Sequence, residues 1–164
     1  MQFEHRHTFP YPAQQVWDLI MTEAYDQDSA RVSGLTRQQL CDEVVDGCRF
    51  RRIQVTSNKP LPRFMVKVIR ADRLTYTLEE RYAASGMRMD WTVIPMAVSD
   101  KVVATGSFEL NPTQAGCERL VSGRIRVSIP LVGGKIERTI ADELQASYAK
   151  TAAFADSWLA ERLP

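Results

Sequence analysis

The chain has 164 residues, 45% of them hydrophobic and 25% charged, which suits one domain, residues 1–164, with a core of its own. Lys+Arg number 21 and Asp+Glu 20, a formal net charge of +1, so the strong basic excess of a dedicated nucleic-acid binder is absent. No apolar run has the length of a membrane span, and the opening MQFEHRHTF is charged from Glu4 onward, where a secretory signal would be apolar.

Residues 2–9 alternate with a period of two, placing Phe3, His5, His7 and Phe9 on one side of a strand. Pro10 and Pro12 end it, and PAQQVWDLIM then gathers Val16, Trp17, Ile20 and Met21 on one helical face. A second short helix over 22–31 stops at Gly34. Asp46-Gly47 marks a two-residue hairpin turn, and the parity change between Phe50 and Ile53 predicts a bulge in its second strand. Residues 60–72, beginning with Pro60 and Pro62, read as a short helix or a lid-like loop. Four more strands follow, marked by Leu74, Tyr76, Leu78; by Met87, Met89, Trp91, Val93; by Val102, Ala104, Gly106, Phe108, Leu110; and by Val121, Gly123, Ile125, Val127. Ser85-Gly86, Pro95, Ser99-Asp100, Asn111-Pro112 and Gly116 separate them. Past Gly133-Gly134, which let the chain turn, the period becomes helical: Ile136, Ile140, Leu144, Tyr148, Thr151, Phe154, Trp158 and Leu163 form one stripe. Such a helix would run about 45 Å. The expected radius of gyration is only about 15 Å, so the helix must cross the whole domain against the sheet. Cys41, Cys48 and Cys117 have no CxxC spacing and read as free thiols in a reducing cytoplasmic setting, with a Cys41–Cys48 bridge as a minor alternative.

The order of strand, two short helices, six strands and a long terminal helix resembles the helix-grip fold of the START-like superfamily, which includes the birch-pollen allergen fold and the polyketide cyclases. The resemblance rests on FEHRHTFPYPAQQVWDLI (3–20), LPRF (61–64), LTYTLEERY (74–82) and VSIPLVGGKIERTIADEL (127–144), and is nearest to a bacterial branch of that superfamily. It implies an α+β fold with about seven antiparallel strands curved around the C-terminal helix. It also implies that a hydrophobic small molecule or lipid binds between sheet and helix. The expected lining is Phe3, His5, His7, Tyr76, Leu78, Glu80, Met87, Met89, Trp91, Phe108, Ile140, Leu144 and Tyr148. Small residues at Ala104, Gly106, Gly123, Ala141, Ser147 and Ala155 either leave a cavity or let the backbones close on one another.

His5 and His7 share one strand face, but they are the only histidines, and a zinc site needs further ligands. Glu80 would have to complete it, so hydrogen-bonded sheet residues are the simpler account, and no metal or cofactor is expected. A buried Glu80 in apolar surroundings would suit acid catalysis. VGGKIERT lacks the GxxxxGK[ST] order of a phosphate loop, and no GxSxG, HExxH or dinucleotide fingerprint occurs. Arg49, Arg51, Arg52 and Arg119, Arg124, Arg126 read as solvated strand faces. No residue is assigned a catalytic role. Three readings remain: a carrier or sensor of a hydrophobic ligand, as monomer or homodimer; a cyclase-like enzyme moving protons through His5, His7 or Glu80; and an interaction module with an exposed apolar patch.

Overall fold

Period-two alternation does become strand and the terminal stripe does become helix. The computed structural model describes residues 1–164, with β1 (Gln2–Phe9), α1 (Ala13–Ile20), α2 (Glu23–Ser33), β2 (Leu35–Val45), β3 (Cys48–Pro60), α3 (Arg63–Ile69), β4 (Arg73–Tyr82), β5 (Arg88–Pro95), a 3-10 turn (Ser99–Lys101), β6 (Val102–Thr113), β7 (Gly116–Val127) and α4 (Gly133–Ala160). The strands form one antiparallel sheet in the order β1-β7-β6-β5-β4-β3-β2. This is the α+β helix-grip architecture.

Local chemistry accounts for the boundaries. Thr22 caps α2 by accepting from the Tyr25 N–H at 3.3 Å, and Gly34 ends it in the left-handed region at φ 69°. Asp46 and Gly47 both take positive φ, as the tight hairpin requires. Residues 60–72 contain the helix α3, tied at its base by the Leu61 N–H donating to the Asp72 carbonyl at 2.8 Å and anchored by buried Met65.

Three local expectations need correction, whereas the cysteines are free as expected. The bulge lies in β2, between Gln39 and Cys41, while β3 keeps its parity from Arg49 to Thr56 and turns irregular only between Thr56 and Pro60. The apparent break arises because Phe50 faces outward and is buried beneath Arg81 and Arg52, whose guanidiniums lie 4.6 and 5.5 Å from its ring. Strand β6 runs through Asn111-Pro112 to Thr113 and turns only there; Pro112 pairs in register with Cys117 at the strand end. Leu131, at φ 68°, makes the left-handed turn before α4, whereas Gly133 serves by letting the Val127 carbonyl approach it closely. Cys41 and Cys48 are free and stand opposite Arg52 and Val45, not each other.

The core consists of two clusters at opposite ends of α4. One joins Phe9, Ala13, Val16, Ile20, Leu110 and Cys117 to Ala155, Trp158 and Leu159 near the helix C-terminus. The other joins Met65, Ala104, Ile125 and Val127 to Ile136 near its N-terminus. Glu137 accepts the Val127 N–H at 2.7 Å and adds a polar tie at that end. Between them, Ile140, Leu144 and Tyr148 are only half-buried. The helix contacts β1, β7 and α2 along its length and makes no comparable approach to β3, β4 or β5. Leu163 lies beyond the helix, although it packs against the first cluster.

Gly106 and Gly123, paired across β6 and β7, do not open a cavity, because the Trp91 indole lies over them. A Cβ on Gly123 would come within 2.6 and 2.7 Å of the indole and 2.8 Å of Phe3. Gly123→Ala is therefore expected to lower unfolding free energy by about 1–3 kcal/mol through overpacking. Because those neighbours are side chains, Trp91→Leu in the same chain should recover part of the loss; denaturant unfolding of both variants and the double variant checks this.

Candidate functional site

The register fixes which residues face α4. On β1, Phe3, His5, His7 and Phe9 point inward; β7 matches them with Gly123, Val121, Arg119 and Cys117. Across the sheet, β4 presents Tyr76, Leu78, Glu80 and Tyr82 opposite Pro95, Val93, Trp91 and Met89 of β5. Strand β3 adds Arg51, Ile53 and Val55, of which the last two are fully buried.

The expected lining residues divide by position. Phe3, Ile140 and Leu144 pack against the N-terminal cluster, and Met87 and Phe108 against the C-terminal one. His5, Tyr76, Leu78, Met89, Trp91 and Tyr148 lie in neither and are half-buried. An aromatic stack runs from sheet to helix. Trp91 and Phe3 stack at 6.0 Å, Phe3 lies 5.9 Å from His5, and His5 stacks on Tyr148 at 4.3 Å. His7 points to the side, 2.7 Å from the Asp156 carboxylate on α4. The two histidines thus part company, and no group of three or more His, Cys, Asp or Glu side chains is arranged to hold a metal ion.

Glu80 is buried, but not in the apolar setting that acid catalysis asks of it. Arg37 donates to it at 3.3 Å, Tyr82 at 2.9 Å, and Arg51 lies 3.4 Å away. Arg51 also donates to Asp26 of α2 at 2.6 Å. Two guanidiniums and two carboxylates thus neutralise one another under the β2–β4 side of the sheet. Burial works against the Arg51 charge, yet Asp26, Tyr82 and Glu80 outweigh it and hold its pKa above the ordinary arginine value. Tyr82 is pushed up to about 12 by burial and by the Glu80 charge. Tyr148 is also pushed up to about 12, chiefly by burial.

The arginine clusters are not uniformly solvated faces. Arg51 and Arg119 are each only 6% exposed and face inward, whereas Arg52 and Arg124 stand on the outer side. The alternation already carried this signal: extending Val127, Ile125, Gly123, Val121 backward by twos reaches Arg119. That outer side bears an open depression of about 820 Å³, bordered by Gln2, Glu4, Arg88, Asp90, Ser107 and Arg124. Arg88 is paired there with Asp90 at 2.9 Å and Glu109 at 2.8 Å.

Removing one member of the buried quartet strands a charge. Glu80→Gln should destabilise by about 3 kcal/mol, whereas Lys59→Ala, which breaks an exposed pair with Glu143, should cost no more than about 1 kcal/mol; urea unfolding compares them. The raised tyrosines predict alkaline weakening. Their folded pKa exceeds the unfolded value of about 10, so the stability they contribute is complete below pH ~10 and is lost as pH rises toward 12. Phenolate absorbance followed alongside unfolding checks that window.

Comparison with known proteins agrees with this architecture. A crystal structure of TTHA0849 from Thermus thermophilus superposes with a TM-score of 0.69 at 14% identity, covering 99% of this chain and 100% of that one. Ara h 8.0201 gives 0.63 at 10% identity, covering 96% and 98%. The di-domain ARO/CYC StfQ of the steffimycin biosynthetic pathway gives 0.58 at 16% identity, where 99% of this chain spans 46% of that one. No curated protein matches the sequence. These likenesses establish the fold, the α+β helix-grip architecture. The family model described as protein of unknown function (DUF2505) matches residues 4–159, and the chain belongs to that family.

Proposed function

We propose that the protein binds a hydrophobic small molecule or lipid between the sheet and α4, as a carrier or sensor. The observation that carries this reading is the divided core. A helix of 28 residues is packed into buried clusters at both ends, while Ile140, Leu144 and Tyr148 along its middle are only partly buried. Completing that burial with protein atoms alone would require the helix to approach β3–β5, which it does not. An apolar ligand would supply the missing contact and gain about 25 cal/mol for each Å² of apolar surface it covers.

The chemistry of the inner face supports a ligand of low polarity. Met89 and the aromatic rings offer deformable and flat apolar surface, and Tyr76 and Tyr148 add a few hydroxyls for orientation. That similar folds include Ara h 8.0201 and a biosynthetic ARO/CYC is consistent with a ligand-holding scaffold. The cyclase reading is weaker, because Glu80 is held by Arg37, Arg51 and Tyr82 and His7 by Asp156.

A polarity-sensitive dye should brighten on binding, and Leu78→Trp, which fills the space, should reduce its uptake at least several-fold without altering the circular dichroism of the fold. Native mass spectrometry of gently purified protein should also show an adduct. Absence of both dye uptake and adduct would end this reading.

A further inference from the structure

Arg119 is the one buried guanidinium of the inner face that the protein does not neutralise. It lies on β7 between inward-facing Cys117 and Val121, opposite His7 and Leu110, and is 6% exposed. Its Nε is buried without a hydrogen-bond partner, as is that of Arg51, whose other nitrogens however reach carboxylates. No ion pair of the protein includes it. The acids that might have reached it are committed elsewhere: Asp156 to His7, Asp26 to Arg51, and Asp28 to Arg31 and Trp158. Its surroundings are rings. It lies 5.7 Å from the Phe9 centroid, and its charge acts on Tyr25 of α2, Tyr148 of α4 and His5 of β1.

An unpaired buried charge is costly, and natural folds rarely keep one without a counter-charge. Arg51, on the same sheet face, shows what compensation looks like, with Asp26 and Glu80 both within 3.4 Å. Arg119 has aromatic and hydroxyl neighbours where Arg51 has carboxylates. Its position next to His5 and Tyr148 puts it at the border of the half-buried residues, where a ligand would meet it.

We infer that the ligand is an amphipathic acid, an apolar body ending in a carboxylate that pairs with Arg119. This rests on the hydrophobic-ligand reading above and specifies its polar end. A guanidinium presents paired N–H donors that match a carboxylate's two oxygens. One uncompensated positive charge asks for one negative charge; a doubly ionised phosphate would leave an excess. Burial, together with the Arg119 charge, keeps His5 below its ordinary pKa, so it adds no second cation at neutral pH.

The test compares three fourteen-carbon probes at pH 8: tetradecanoic acid, tetradecanol and tetradecyl phosphate, each titrated by calorimetry into wild type, Arg119→Met and Arg119→Lys. The acid should bind wild type at least tenfold tighter than the alcohol. Arg119→Met should bring that ratio near one while retaining the alcohol, and Arg119→Lys should keep part of the preference. Where Arg119→Met fails to fold, Arg119→Gln provides the same comparison. Acid and alcohol binding alike to wild type would overturn the inference and leave the hydrophobic-ligand reading standing. A preference that survives in the Met or Gln variant would overturn the assignment to Arg119, and tighter binding of the phosphate than of the acid would overturn the carboxylate. If none of the probes binds, the proposed function fails for such chains and the inference falls with it.

Discussion

The constraint that orders this molecule is that one rigid helix must be fastened to a twisted sheet, and only its two ends can be. A 28-residue helix spans about 42 Å as a nearly straight rod. A seven-stranded antiparallel sheet turns progressively along its width and cannot run parallel to a rod over that distance. The sequence places its best anchors where contact is possible: Ile136 and Gly133 at one end, Ala155, Trp158 and Leu159 at the other. Between them the helix carries Ile140, Leu144 and Tyr148, apolar enough to favour burial and not fully buried. The β1–β7 side closes this interval with the stack of Trp91, Phe3, His5 and Tyr148. Toward β3 and β4 the helix makes no comparable contact.

The fold was legible because its signals are periodic. The β1 alternation, the Asp46-Gly47 turn, Gly34 and the terminal stripe each follow from a local rule and do not depend on distant partners. What failed was what only tertiary contact decides. The parity change between Phe50 and Ile53 reads as a bulge, yet Phe50 faces outward beneath two arginines. Gly106 and Gly123 read equally as cavity or close contact, since nothing in the local pattern says which side chain Trp91 will lie upon. The candidate positions on β1, β4 and β5 were legible as residues sharing one face of the sheet. The electrostatics of the site were not. Arg51 and Arg119 read like their exposed neighbours because basic clusters are usually solvated, and Asp26, the partner of Arg51, comes from a helix whose docking the sequence does not announce.

The two inward arginines separate stability from function on one surface. Around Arg51 every charge has an answer within the chain, so that region would remain satisfied whether or not a ligand is bound. A satisfied buried network mainly fixes geometry; here it locks α2 to β3 and β4 and holds Tyr82 and Glu80 in place. Arg119 has no carboxylate partner, and the same accounting that makes Arg51 structural makes Arg119 a standing cost to the unliganded fold. Natural sequences tolerate local costs of this kind mostly where they serve binding. Burial of the ligand's apolar body draws on the divided core, and neutralisation of Arg119 draws on a charge the core excludes. The two deficits lie side by side, so one amphipathic molecule can remove both.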